Sequence, residues 1–374
     1  MVKMKAIAIK PGTTTIRLVE REEPQVRADD EIKLRVLQVG ICGTDREEAA
    51  GGRCAPPDGH DELVIGHEMI GQVVAAGAAV TQVEIGDFAA FTVRRSCEKC
   101  PACLANRSDM CYSGEYRERG IWKRDGYQTE FVVDREAYVV KLPEEIAEIG
   151  VLTEPLSVAE KAIDESLRLQ QSRLPDASIP LDWLSGRRCL VAGLGPIGLL
   201  AAVALRLRNA EVYGLDIVEA ESVRAQWLTQ IGGKYIDGRQ VPADRIDTEI
   251  GPMDFIFEAT GVASLEFSLL DALALNGVYV LTGIPAGSRP LNIPGAELIR
   301  QLVLNNQIML GSVNASREHY RLAVEDLVRA ERRWAGHVAK LITHRHVYTD
   351  FLAGLEHHGQ DEIKVIVDWN TPPG

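Results

Sequence analysis

The sequence predicts an α/β protein in two parts, a mostly β domain and a doubly wound parallel sheet. Three observations carry that expectation. Up to about residue 145 the chain is rich in Val, Ile and Gly, in short alternating runs such as "AIAIK", "EIKLRVLQVG", "GQVVAAG" and "TEFVVDREAYVVKLP" separated by Gly-rich turns, the pattern of half-buried strands. From Cys189, "CLVAGLGPIGLLAAVALRLRNAEVYGLD" reads as an apolar strand, a glycine turn, an apolar helix and a second strand, which is one βαβ unit. "MDFIFEATG", "GVYVLTGIP" and "QIMLGSVN" add further apolar runs ending in small residues, as strands of a sheet covered on both faces do.

The connecting elements follow the same logic. Residues 155–171, "PLSVAEKAIDESLRLQQ", place Leu156, Val158, Ala159, Ala162, Ile163 and Leu167 at helical spacing behind a first-turn proline, so a long helix is expected to leave the first domain. "SRLPDASIPLDWLSGRR" carries two prolines and is expected to be a loop. Beyond about residue 313, "REHYRLAVEDLVRAERR" reads as a helix, and "LITHRHVYTD" and "EIKVIVDW" read as strands returning to the first domain. The expected division is 1–186 with 313–374 for the β-rich domain and 187–312 for the parallel sheet.

At 374 residues, 46% hydrophobic and 25% charged, the chain has the composition of an ordinary soluble enzyme body with room for two cores. Its 41 basic and 54 acidic side chains give a net charge of -13, which repels nucleic-acid phosphates and anionic lipid, so neither partner is expected. No run approaches the roughly 20 apolar residues of a membrane span, and "MVKMKAIAIKPG" alternates like a strand without the features of a signal peptide. An odd count of seven cysteines without an export signal points to the reducing cytoplasm, where thiols bind metal or do chemistry.

Within the βαβ unit, Gly193, Gly195 and Gly198 have GxGxxG spacing directly after a strand. The first permits the tight turn, the second lets the backbone approach a pyrophosphate and the third lets the helix pack on the strand, while the helix N-terminus favours negative charge. Asp216 ends the second strand, where a carboxylate accepts from the ribose 2'-hydroxyl and repels a 2'-phosphate. The following "IVEAE" supplies no basic side chain, so NAD is favoured and NADP remains possible. A strand-end aspartate that only caps a turn is the alternative.

Cys97, Cys100, Cys103 and Cys111 form CxxCxxCx7C, a spacing that lets one folded loop aim four thiolates at a tetrahedral centre and suits a closed structural zinc site. An iron–sulfur cluster could use the same ligands, although its usual further redox motifs are missing, and free thiols are the remaining alternative. Cys54 and Cys189 read as packing residues. A dispersed set, Cys42 in "GICGTD", His67 and Glu68 in "GHE" and Glu154 in "LTEPLS", supplies the thiolate, imidazole and carboxylates of a catalytic zinc with one position left open.

Taken in order along most of the chain, "GICGTD", "GHE", the cysteine loop, "TEPLS" and "GLGPIG" resemble the zinc-dependent medium-chain dehydrogenase/reductase superfamily. "GEYRERGIWKRDGYQTEF", "TEPLSVAEKAI" and "GSVNA" are similar to its glucose 1-dehydrogenase branch. The resemblance implies a GroES-like catalytic domain with a structural zinc lobe at about 94–115, and a Rossmann domain. It implies Cys42 and His67 as catalytic zinc ligands, with Glu68 and Glu154 coordinating directly, through water or in alternation. It implies Thr44 as the hydroxyl that relays the substrate proton, and Glu118, Glu154 and Asn314 as contacts to sugar hydroxyls or the nicotinamide end. A surface charge is the alternative for Glu118. Cofactor contacts are expected from Gly193, Leu194, Gly195, Pro196, Ile197 and Gly198, from Asp216, from Thr260, Gly261, Gly283 and Ile284 at later strand ends, and from Asn314. Several members of that branch carry basic residues where this chain has Asp216 and Ile217, and some place polar sugar contacts where it has Val93 and Val158.

The expected activity is zinc-dependent oxidation of an aldose, glucose or a close relative, at C1 to the lactone, in a cytoplasmic homodimer or homotetramer. A polyol or secondary alcohol dehydrogenase is the alternative within the superfamily, and a dinucleotide-binding sensor without catalysis the alternative outside enzymes. A zinc-dependent nucleic-acid binder conflicts with the charge.

Overall fold

A computed structural model of the chain describes residues 2–177, 183–285, 290–356, 359 and 361–370. The chain packs as two units, Met1–Ser157 with Asn314–Gly374, and Val158–Val313. Among the described residues no helix is long and apolar enough to cross a membrane.

The first unit is built on the strand Glu31–Ile41. It pairs antiparallel with Glu68–Ala76, Phe131–Arg135 and Lys364–Asp368, and its buried positions Ile32, Leu34, Val36 and Val39 anchor the core. The register against Glu68–Ala76 shifts between Lys33 and Leu34 and again between Val36 and Gln38; such bulges bend and re-aim a strand end. As a result Gly40 lies opposite Glu68 on one side and Ile366 on the other. The C-terminal strands Ile342–Val347 and Lys364–Asp368 run parallel to each other in this same sheet. A separate small sheet joins Arg94–Arg95, Arg117–Arg119 and Lys123–Arg124, and the four-cysteine loop occupies the sequence between its first two strands.

The second unit contains a six-stranded sheet, parallel throughout. Its order is Lys234–Asp237, Glu211–Asp216, Arg188–Ala192, Met253–Glu258, Leu273–Leu281, Ile308–Gly311. The order reverses beside the first strand, Arg188–Ala192, which makes the carboxyl ends there the crevice where such sheets bind ligands. Leu190, Ala192, Ile256 and Tyr279 lie in its buried core.

The helix expected over 155–171 spans Thr153–Arg173. The division between the units falls inside it, after Ser157, so that residues 158–177 and 183–186, expected with the first domain, group with the second. The reason is the helix's own polar side chains. Glu160 pairs with Arg208 at 2.6 Å, Lys161 donates to the Val313 carbonyl at 2.9 Å and Gln170 donates to the Asn276 carbonyl at 2.8 Å. Of the loop expected over 172–188, residues 172 and 173 finish the helix, Pro175–Ala177 form a 3-10 turn, and 178–182 lie outside the described residues.

Candidate active site and metal centres

Cys42 caps the helix Gly43–Ala49. Its Sγ accepts from the Thr44 N–H at 3.3 Å, and its own N–H donates to Asp45 Oδ2 at 2.8 Å. This reciprocal capping fixes the thiol, Thr44 and Asp45 at one helix end. His67 and Glu68 arrive at the start of the strand Glu68–Ala76, after a tight crossing of chain segments. Gly66 sits at φ +88°, and a side chain on it would run into Gln128 and Val39. The glycine before His67 is therefore required by both conformation and space. Glu154 projects from the first turn of the helix Thr153–Arg173.

These residues meet as two triads sharing His67. Ligand atoms of Cys42, Asp45 and His67 lie within 4.8 Å of one another, as do those of His67, Glu68 and Glu154. His67 and Glu68 are buried. Burial disfavours a charged His67, but Asp45 and Cys42 outweigh it and push the imidazole well above its ordinary value. Burial pushes the Glu154 carboxyl up to about 7, with His67 opposing and Glu68 reinforcing. Asp45 Oδ1 faces His67 Nδ1 at 3.6 Å, and neither atom has a hydrogen-bond partner among the described residues. One thiol, three carboxyls and an imidazole gathered here, with Asp45, His67 and Glu68 buried and Cys42 and Glu154 half-buried, are short of positive charge, which a divalent cation supplies. The donor set fits zinc.

Two residues beyond the expected set complete this cluster. Asp45 stands in the motif "GICGTD", and its carboxylate is the extra anion beside His67. Lys364 is buried, pairs with Glu68 and donates to the Ile41 carbonyl at 2.9 Å. Burial opposes its charge, but Glu68 and Cys42 more than compensate and raise its pKa. A side chain on Gly40 would collide with the Glu68 carboxylate and the Lys364 stem, so the ion pair occupies the space that this glycine vacates. The signal for Lys364 was a lysine inside the apolar run "EIKVIVDW", since a lysine in a buried strand needs a partner.

Glu118 and Asn314, expected at the substrate end, are joined by a hydrogen bond of 2.9 Å from Asn314 Nδ2 to Glu118 Oε1. The same oxygen accepts from Arg94 Nε at 3.1 Å and Nη2 at 2.8 Å. Glu118 is buried, which disposes of the surface-charge alternative. Its Oε2 has Arg53 at 3.9 Å. Asn314 itself adopts φ +62°.

In the cysteine lobe, the four Sγ atoms lie within 4.8 Å of one another, and Cys100 and Cys111 sulfurs are 4.0 Å apart. Tetrahedral zinc–thiolate bonds of about 2.3 Å place sulfurs about 3.8 Å apart. Backbone N–H groups of Cys97, Cys100, Cys103 and Tyr112 point at the sulfurs of Cys103, Cys97, Cys100 and Cys100 at 3.4 to 3.5 Å. Hydrogen bonds from Ser113 and from the backbone push Cys97 down to about 6, whereas burial pushes Cys103 up to about 12. All seven cysteines are free. The set fits a closed zinc site.

In the second unit, the strand Arg188–Ala192 runs into Gly193 at φ +91° and then into the helix Pro196–Leu207. A side chain on Gly198 would strike the Gly193 carbonyl, whereas one on Gly195 would meet nothing within 4 Å. Gly198 is thus needed for packing, and Gly195 leaves open space at an uncapped helix N-terminus, where a phosphate can approach. Asp216 accepts from the Leu194 N–H and the Ile217 N–H, both at 2.7 Å. Thr260, Gly261, Gly283 and Ile284 follow the strands Met253–Glu258 and Leu273–Leu281, and the Gly261 and Ile284 backbones are packed against each other. What holds them has no local signal in the sequence. Glu258, fully buried, accepts from the Thr260 N–H at 2.5 Å, the Gly261 N–H at 3.0 Å and the Gly283 N–H at 3.2 Å, tying both loops to one carboxylate.

Comparison with known proteins agrees with these features. Residues 28–144 match the family described as "Alcohol dehydrogenase GroES-like domain", and residues 147–369 match "Glucose dehydrogenase C-terminus". A glucose 1-dehydrogenase of Methanocella arvoryzae is 35% identical over 98% of this chain and 99% of its own length. One of Thermoproteus tenax is 35% identical over 98% and 100%. Among solved structures, the glucose dehydrogenase of Haloferax mediterranei in complex with NADP, Zn and gluconolactone matches with a TM-score of 0.87 and 32% identity, covering 99% of this chain and all of that one. The chain belongs to the zinc-dependent medium-chain dehydrogenase/reductase superfamily, in its glucose dehydrogenase branch, and is an NAD(P)-dependent dehydrogenase.

Proposed function

We propose that the protein oxidises an aldose, glucose or a close relative, at C1 to the lactone, with NAD as the preferred acceptor. The observation that carries the reading is the buried His67 ringed by Cys42, Asp45, Glu68 and Glu154. Glucose as substrate rests on relatives alike over nearly their full length, one of them solved with gluconolactone.

Cys42, His67, and Glu154 or Glu68 would hold the catalytic zinc, and the four lobe cysteines a structural one. When bound, the catalytic zinc supplies a Lewis acid that makes a hydroxyl easier to deprotonate, and the nicotinamide supplies a hydride acceptor. The chain's own residues then divide the remaining work. Thr44 Oγ1, fixed at the capped helix end, takes the C1 hydroxyl proton and passes it outward. Glu118 Oε2 accepts from a sugar hydroxyl while Arg94 and Asn314 hold the other carboxylate oxygen in place. Lys364 holds Glu68 in place through their ion pair. The first unit serves as catalytic domain and the second as dinucleotide domain, with Gly193, Leu194, Gly195, Pro196, Ile197 and Gly198 receiving the pyrophosphate.

The NAD preference rests on Asp216, whose carboxylate at the strand end disfavours a 2'-phosphate. Arg239, a cation after the neighbouring strand, is already paired with Asp237 at 2.7 Å and with Glu219. A cytoplasmic location, which rests on the seven cysteines, and a homo-oligomeric state, which rests on the family resemblance, are part of the same proposal.

The test is reduced-nicotinamide absorbance with NAD and NADP against glucose, galactose, xylose, sorbitol and a secondary alcohol, before and after chelation. Chelator-sensitive turnover of an aldose is the expected result. Turnover of sorbitol or simple alcohols alone would move the protein to the polyol reading, and tight NAD binding without any turnover would make it a sensor. Asp216→Ala should lower the NAD-to-NADP ratio of kcat/KM by at least about tenfold, the loss of about 1.4 kcal/mol of discrimination.

A further inference from the structure

A cavity of about 720 Å³ opens beside the cysteine lobe in the first unit, a volume in the range of small-molecule sites, about 300 to 1,000 Å³. Nothing in the proposed reaction uses it. Most of the charged side chains in its wall are matched one to one. Arg117 faces Asp58 at 3.6 Å, Arg135 pairs with Glu98 at 2.9 Å and Lys99 with Glu115 at 3.2 Å, while Glu31 accepts the backbone N–H groups of Arg27 and Ala28.

Asp134 breaks the pattern, because three guanidinium groups share it. Arg95 and Arg119, both buried, each direct Nε at 2.9 Å and an Nη at the same oxygen, Oδ2. Arg124 is left with a 3.4 Å contact to Oδ1, an oxygen that also accepts the Arg135 N–H at 3.0 Å. Arg124 Nε is buried without a hydrogen-bond partner among the described residues. Repulsion from Arg119, followed by burial, pushes Arg124 below its ordinary value, as expected of a cation short of a counter-ion. Next to it, Lys123 lines the same cavity, and its ammonium has no ion pair among the described residues. Its backbone is held at φ +55°, a strained conformation for lysine of the kind found at ligand clamps. Counting the wall with Arg119 and Asp30 behind it, seven basic groups stand against six acidic ones.

We propose that this cavity binds a phosphate group, free or carried by a small metabolite, with Lys123 and Arg124 as its charged contacts. The under-paired Arg124 and Lys123 suit the negative charge of a phosphate monoester, about -1.5 to -2 at neutral pH, and the guanidinium and ammonium donors suit its oxygens. The volume leaves room for more than the bare ion.

The test is calorimetric titration of the zinc-loaded protein, saturated with NAD so that the glycine loop is occupied, using inorganic phosphate and, separately, glycerol 3-phosphate. One equivalent per chain should bind with a Kd at or below about 1 mM. Lys123→Gln with Arg124→Gln should weaken it at least about tenfold while zinc content and basal turnover stay unchanged. Lys123→Gln alone, at an exposed side chain, provides the same comparison if the double variant fails to fold. Tighter binding of glycerol 3-phosphate would identify a phosphorylated metabolite as the source, and equal binding would identify free phosphate. Absence of saturable binding, or binding indifferent to both variants, would overturn the proposal.

Discussion

The four-cysteine lobe and the cluster around His67 gather metal-type donors in the same unit by different means. The lobe draws its sulfurs from sixteen consecutive positions, 96–111, and covers them with the N–H groups of its own turns. Four like ligands leave no open position. The His67 cluster draws Cys42, His67, Glu68 and Glu154 from a helix cap, a strand start and a long helix. Its chemistry is mixed, its carboxyls outnumber what a metal needs, and Lys364 engages one of them. A structural centre can thus be specified by local spacing, whereas a site with donors to spare needs a framework to aim them and a counter-charge to hold the surplus in place.

That contrast can be broken at the largest scale by His67→Ala. Turnover should fall by at least about a thousandfold in kcat/KM, equivalent to about 4 kcal/mol of transition-state stabilisation, and elemental analysis should find one zinc per chain in place of two. A variant that keeps both zincs and most of its activity would dissolve the distinction. Cys100→Ser should act in the opposite sense, losing the other zinc and about 10 °C in Tm, the size expected when several kcal/mol of metal-linked folding energy is removed from a chain of this class. The kcat of the fraction still folded should stay within a few-fold. Loss of turnover in a stable, zinc-replete protein would instead place the lobe in the chemistry. Gly40→Ala should have the smallest effect of the three. Forcing a methyl group into the Glu68–Lys364 pair should cost about 1 to 3 kcal/mol in urea unfolding and lower turnover without removing the lobe zinc.

Legibility followed the same division. The cysteine loop, the glycine loop and the returning strands could be read because each is local: short ligand spacings, a turn that only glycine permits, an alternating apolar pattern. Asp45 stood in a motif already singled out, yet its role depends on the helix cap that turns it towards His67. Lys364 lies in a strand 296 residues after Glu68, and Glu258 is one acid in an apolar strand whose hydrogen bonds reach a loop 25 residues on. The helix Thr153–Arg173 reads as one element from its periodicity, whereas the partners of Glu160, Lys161 and Gln170, which tie its greater part to the second unit, lie far along the chain.

The sequence by itself thus determined the two architectures, the four-thiolate loop, the glycine fingerprint and the donor types of the dispersed site, because those depend on neighbours within a turn or two of chain. Tertiary structure alone decided that Glu68 is held by a buried lysine in the space of Gly40, that Glu118 is clamped by Arg94 and Asn314, and that three arginines share Asp134. Electrostatic partnership falls off with distance in space and is blind to distance along the chain, so these pairings exist only once the sheets have brought their residues together.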